Sequence, residues 1–217
     1  MNRNLVVLSL AVLSTASYGN LISNGGFEAN TVYPGPTLGG DPADGWAIES
    51  ITPDVWDNGG VDGIAPGTFG YFPHVTAYEG TNWASLAGFS GVSEAMSATP
   101  VALSAGQYTF SAALIYDEHN PLGYVNPAGV DVYLKQGAGA YALAGILAAN
   151  TGPDQWELRS LNIQITTSDT YTFMLAIRAV DPAYVGIDDV QFNPVPEPAT
   201  MAALGLGAAA LIRRRRK

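Results

Sequence analysis

The stretch Leu161-Asn162-Ile163-Gln164-Ile165-Thr166-Thr167-Ser168-Asp169-Thr170-Tyr171-Thr172-Phe173-Met174-Leu175-Ala176-Ile177-Arg178 decides the fold. Leu161, Ile163 and Ile165 alternate with polar Asn162, Gln164 and Thr166, and Tyr171, Phe173, Leu175 and Ile177 alternate with Thr172, Met174, Ala176 and Arg178. A period of two puts all the large apolar side chains on one face of an extended chain. Upstream, Val130, Val132 and Leu134 alternate against Asp131, Tyr133 and Lys135, and Tyr108, Phe110, Ala112, Leu114 and Tyr116 share a face. Asn82–Phe89 sets Trp83, Ser85 and Ala87 on one side and Ala84 and Leu86 on the other. Ser104-Ala105-Gly106 separates Glu94–Leu103 from Gln107–Tyr116 and predicts a hairpin there. Leu21-Ile22, Trp46–Ile48 and Val185–Phe192 complete the set, while Tyr141–Ala149 fits a strand or a short helix. Residues 29–45, 54–68 and 117–129 are rich in Gly, Pro and Asp and read as loops. About nine to eleven short strands, each with one apolar face, predict an all-β sandwich of two antiparallel sheets, each burying one side.

Composition narrows the function. The chain has 217 residues, no cysteine and a net charge of −10. Six of its nine cations, Arg3 and Arg213 to Lys217, lie at the two ends. Residues 20–194 keep three, Lys135, Arg159 and Arg178, against eighteen carboxylates, which leaves that segment at −15. Such a surface repels phosphate backbones, so nucleic acid is excluded as a partner, while divalent cations are attracted. Without cysteine there are no disulfides, so packing, alone or with a metal ion, must hold the domain.

The ends read as addresses. Arg3, the apolar run Leu5–Leu13 and the small residues after it predict a signal peptide over residues 1–19, cut after Ala16 or Gly19. At the other end, Pro196-Glu197-Pro198 is an extended unit, because each proline lacks an N–H and fixes φ. An apolar segment, Ala199–Ile212, follows, and then Arg213, Arg214, Arg215, Arg216 and Lys217. That order resembles the PEP-CTERM sorting tail of Gram-negative bacteria, here residues 195–217. The resemblance implies export, brief anchoring in the inner membrane by a short apolar transmembrane helix, and processing near the triplet by an exosortase. It implies a cell-surface or extracellular location, in systems that make exopolysaccharide. Fourteen apolar residues cover roughly 21 Å as a helix, short of a usual span, and snorkelling arginines with local thinning would make up the difference.

The intervening segment also resembles a known family. Asn20-Leu21-Ile22-Ser23-Asn24-Gly25-Gly26-Phe27-Glu28, Asp44-Gly45-Trp46, Glu79-Gly80, Leu103-Ser104-Ala105-Gly106-Gln107-Tyr108 and Val185-Gly186-Ile187-Asp188-Asp189-Val190 stand in the order seen in galactose-binding-like carbohydrate-binding modules. This implies a jelly-roll sandwich over residues 20–194, with the ligand left open. It also implies a structural Ca²⁺ where the first and last strands meet, held by Glu28 with Asp188 or Asp189. Neighbouring strand residues point to opposite faces, so one of the two aspartates faces inward unless a bulge intervenes, and hydrogen bonding to loop backbone would serve that carboxylate as well as a metal would.

Sugar binding calls for exposed rings beside polar groups. Trp56, Tyr71, Tyr78, Tyr116 and Tyr124, with Asp117, Glu118, His119 and Asn120, are the candidates, and residues 117–129 form the preferred ligand loop. Trp46, Trp83 and Trp156 read as core. Asp57–Gly63 lacks the alternating acids and final glutamate of a calcium loop and reads as a solvated turn. Catalysis has no motif: neither a Gly-x-Ser-x-Gly elbow nor a His-Glu-x-x-His helix is present. The expected function is non-enzymatic carbohydrate binding at the cell surface, with a structural matrix protein as the alternative and a carbohydrate-active enzyme behind both.

Overall fold

The computed structural model describes residues 19–30, 43–58, 75–89, 91–116, 129–148, 155–178 and 183–196. Twelve strands fill these segments: β1 Trp46–Ser50, β2 Asp54–Asp57, β3 Asn82–Phe89, β4 Val92–Ser93, β5 Ala95–Ala98, β6 Val101–Leu103, β7 Gly106–Tyr116, β8 Gly129–Gln136, β9 Ala142–Ala148, β10 Glu157–Ile165, β11 Asp169–Arg178 and β12 Ala183–Pro194. All pairings are antiparallel. The first sheet runs β1-β5-β11-β8-β9, with β6 also on β11; the second runs β10-β7-β12-β3-β2, with β4 on β3. The fold is the sandwich of two antiparallel sheets that the alternation predicts, in the jelly-roll form that the resemblance to carbohydrate-binding modules implies. The ambiguous stretch after Tyr141 is a strand, β9.

Alternation becomes a core where the sheets face each other. Phe173 of β11 lies 4.4 Å between ring centroids from Phe192 of β12 and 5.7 Å from Phe110 of β7. All three are fully buried, as are Leu114, Val130, Val132, Leu175, Val185 and Ile187. Burial of each such side chain is worth about 1.5–3 kcal/mol.

Four expectations need correction. Ser104-Ala105-Gly106 is not a hairpin: β6 pairs with β11 in one sheet and β7 with β10 and β12 in the other, so this turn carries the chain across the sandwich. Leu21-Ile22 is a bend, held to the last strand by a bond from Leu21 N to Phe192 O of 3.0 Å. Asp54–Asp57 is no loop but edge strand β2. Finally, the second sheet is covered on both faces around β2, β3 and β12, while β10 keeps an open outer face. Ala84 and Leu86 enter the main core, while Trp83 and Ala87 join Trp56, Val75, Ile115 and Tyr184 in a second cluster on its outer side. Of the tryptophans read as core, Trp46 and Trp83 are buried, while Trp156 is partly exposed against the second cluster.

Candidate functional site

The junction between the start and end of the domain is built by a tight turn. Asn24 and Phe27 both have left-handed backbone, φ 53° and 57°. The Asn24 side chain donates to Ala29 O and Asp44 O, both at 2.8 Å, and accepts from Ala29 N at 2.9 Å, replacing the bonds a strand would have made. Phe27 is thereby driven into the core, 5.1 Å between centroids from Trp46. Gly25 lies against β12, where Val190 N donates to Gly25 O at 2.9 Å.

This turn delivers Glu28 to the segment 79–82. Its carboxylate accepts from Thr81 N (2.7 Å), Asn82 N (2.8 Å) and the Thr81 hydroxyl (2.8 Å). Gly80 takes φ +71°, and a Cβ there would stand 2.3 Å from Glu28 Oε1. Asp188 faces inward with no exposure. It accepts from Glu79 N at 3.0 Å and Asp189 N at 2.7 Å. Burial nonetheless pushes its carboxyl up to about 7. Asp189, at φ 45°, sits on a bulge between Asp188 and Gln191 and accepts from Gln191 Nε2 at 2.7 Å. The bulge settles which aspartate is buried, and Asp189 turns away from the junction to Gln191.

The aromatic candidates divide. Trp56 is 1% exposed and Tyr116 8%, so neither offers a ring face at the surface, contrary to the sequence reading. Trp56 is buried because β2 pairs it with Trp83, and the two rings stack at 5.3 Å. Tyr78 is exposed and meets Trp156 edge-on, centroids 6.2 Å apart at 61°. Tyr71, Asp117, His119 and Tyr124 lie outside the described residues, as do the predicted signal peptide up to residue 18, Glu197, Pro198, the apolar segment and Arg213–Arg216. Pro196 is exposed just beyond β12. Among the described residues no helix is long and apolar enough to cross a membrane.

Beneath the second cluster runs a buried polar chain. Trp56 Nε1 donates to Ser85 Oγ (2.8 Å), Ser85 Oγ to Tyr184 (3.1 Å), and the Tyr184 hydroxyl to Asp54. Burial, with Asp54 beside it, pushes the Tyr184 phenol well above its ordinary range. Glu94 accepts from Ala87 N at 2.6 Å and Thr52 Oγ1 at 3.4 Å, and burial raises its carboxyl to about 8. Two acids and a phenol are thus close, but Asp54 and Glu94 line neither of the cavities described below. Their bonds staple β2, β3 and β12 together.

The outer face of the first sheet holds a different constellation. Glu49 on β1 accepts from Ser97 Oγ on β5 at 2.7 Å and from the Tyr141 hydroxyl at 2.8 Å. Lys135 Nζ on β8 stands 4.5 Å from the centroid of the Tyr141 ring. The Ser97 bond, followed by Tyr141 and the Lys135 charge, holds the Glu49 carboxyl below its usual range despite partial burial. Burial and the Glu49 bond raise the Tyr141 phenol. A cavity of about 320 Å³ opens beside them, lined by Glu49, Ser97, Thr99, Lys135, Thr172 and the edge of Trp46 among others. An acceptor, a cation and three hydroxyls around one cavity can bond both sides of a polyhydroxyl ligand. A second cavity of about 460 Å³ lies between β9 and β10, where the sheets part. Sequence reading missed the Glu49 group. Its one signal was Lys135, the only lysine between the two terminal segments.

Past β12, the triplet, apolar run and basic end are matched as a unit. Residues 194–217 match the PEP-CTERM protein-sorting motif. The PEP-CTERM tail therefore begins at the last residue of β12. No curated protein matches the chain. Among solved structures, a family 61 carbohydrate-binding module in complex with β-1,4-galactotriose aligns with a TM-score of 0.50 and 14% identity, over 81% of this chain and 99% of that one. An arabinose-bound GH51 α-L-arabinofuranosidase gives 0.52 and 14%, over 82% of this chain but 26% of the enzyme's. A family 16 carbohydrate-binding module gives 0.47 and 20%, over 80% and 99%. At these identities the likeness is one of fold.

Proposed function

We propose that this is an exported, exosortase-processed protein of the cell surface or extracellular matrix, whose sandwich binds exopolysaccharide without catalysis. The PEP-CTERM tail supports the export half. In this reading residues 199–212 hold the chain in the inner membrane of a Gram-negative cell until an exosortase acts near Pro196-Glu197-Pro198. The binding half rests on one observation: Glu49, Ser97, Lys135 and Thr172 line a single cavity, with Tyr141 bonded to Glu49 at its side. Glu49 and Lys135 supply acceptor and donors, and Tyr141 fixes both.

A structural Ca²⁺ at the junction belongs to the same proposal. Glu28 and Asp188 converge there, since a Cβ on Gly26 would stand 3.8 Å from Asp188 Oδ1 and 3.8 Å from Glu28 Cγ. A fully buried carboxylate whose ionisation burial opposes fits a cation. Among the described residues no three acidic or histidine side chains gather. Backbone carbonyls and water would therefore complete the six to eight oxygens calcium takes.

A glycan array with the purified protein, with and without Ca²⁺, tests the binding. Retention of a polysaccharide is expected, falling about tenfold or more in Tyr141→Ala, the loss of roughly 1.4 kcal/mol of positioning. No retention of any polysaccharide removes the binding half, leaves sorting intact and favours the structural-matrix reading.

A further inference from the structure

The two long sides of the sandwich differ. On one side the sheets end in β1 and β2, short strands of five and four residues that carry Glu49, Asp54 and Asp57. Short, charged edges are how sheet proteins avoid pairing with other chains. On the other side the first sheet ends in β9, Ala142-Leu143-Ala144-Gly145-Ile146-Leu147-Ala148, with no charge and no proline. Among the described residues β9 pairs only with β8. It also exposes large apolar side chains, Leu143 at 52% and Ile146 at 42%. Among the described residues no strand pairs with its other edge, so that edge's backbone N–H and C=O groups have no ladder partner there.

We infer that β9 is an interface between two copies of this chain, pairing antiparallel with the partner's β9 about a two-fold axis. The occupant follows from charge and symmetry. A domain at −15 repels its own copies over most of its surface. β9 is a neutral edge, and the strands beside it are balanced, Lys135 with Asp131 on β8 and Arg159 ion-paired with Glu157 on β10, unlike the strongly acidic remainder of the domain. Copies therefore meet there with the least repulsion. An antiparallel pair of identical strands is also self-complementary, because the two-fold axis turns each free N–H toward a C=O of the other copy. The first sheet then continues across the dimer, and Leu143 and Ile146 of one copy cover those of the other.

The absence of native cysteine gives a clean test. Cells producing the full chain with Leu143→Cys, Ile146→Cys or, as a control on an exposed strand of the other sheet, Val92→Cys are treated with a short bismaleimide. An adduct of twice the chain mass is expected from the two β9 variants and not from Val92→Cys. Adding Ile146→Lys to the Leu143→Cys chain should abolish it, since the axis sets lysine beside lysine. No adduct from β9, equal cross-linking at Val92, or an adduct of any other mass overturns the inference. Sedimentation of the cysteine-free full chain in detergent is the independent measurement: dimers that Ile146→Lys dissociates support it, and monomers at all micromolar concentrations overturn it.

Discussion

A methyl group on Gly25 would stand 1.9 Å from Val190 O. No rotamer relieves that clash, because both partners are backbone. Gly25→Ala must push the opening turn off β12, breaking the Val190 N to Gly25 O bond and shifting Phe27, which is fully buried. Its cost is expected to exceed about 3 kcal/mol, read as a lower denaturation midpoint in urea. The Asn-Gly-Gly-Phe-Glu run was legible as a family signature, but its physical sense was not. A turn-rich run predicts a bend; it does not say that the bend is pressed against a strand some 170 residues away. The same holds for Glu49 and Tyr141, 92 residues apart and joined only by the fold.

At the scale of elements, strands with one open face were the readable ones. β8, β10 and β11 keep polar residues on the outer side, so their alternation is visible in the sequence. β2 and β3 are covered on both faces, which erases the alternation, and Asp54 looks like a loop residue until its bond from Tyr184 is seen. The sheet change at residues 104–106 was hidden for another reason: a short turn fixes reversal of direction, not the partner. Two buried carboxylates, Asp188 on β12 and Glu94 just before β5, set the pH response of these elements. Both are raised in the folded state, to about 7 and about 8, from ordinary values near 4. The folded state therefore binds more protons than the unfolded state between pH 4 and 8, and stability falls as pH rises through that window. Each group contributes on the order of a few kcal/mol. The melting temperature is expected to be higher at pH 5 than at pH 8.5. Ca²⁺ on Asp188 would favour the ionised form, so its addition should raise the melting temperature at pH 8.5 more than at pH 5; an equal melting temperature with chelator at both would count against the ion.

For the whole molecule, the PEP-CTERM tail starts where the last strand stops. Trimming near the triplet therefore costs the sandwich none of its strands. Cells lacking the exosortase are expected to retain the untrimmed chain with the membrane fraction, whereas wild-type cells release a form lighter by about the mass of the tail, as mass spectrometry of the two fractions would show. Release of the trimmed mass from both strains would break the link between tail and processing. The tail was legible because each of its parts is a local property of composition. The cavity beside Glu49 was not, because four strands, β1, β5, β8 and β11, contribute to it.

Asn20 touches β12 near its end: its side chain donates to Val190 O at 2.7 Å and accepts from Phe192 N at 2.9 Å. The sandwich is thus closed like a clasp, its first and last described segments joined at one pole. In the proposed export, a chain threaded outward amino end first would not fasten that clasp until its final strand had emerged, so the finished domain would form only late in secretion. If, as proposed, the tail tethers the carboxyl end to the membrane, the opening turn is held against the same wall and the opposite pole is turned toward the surroundings.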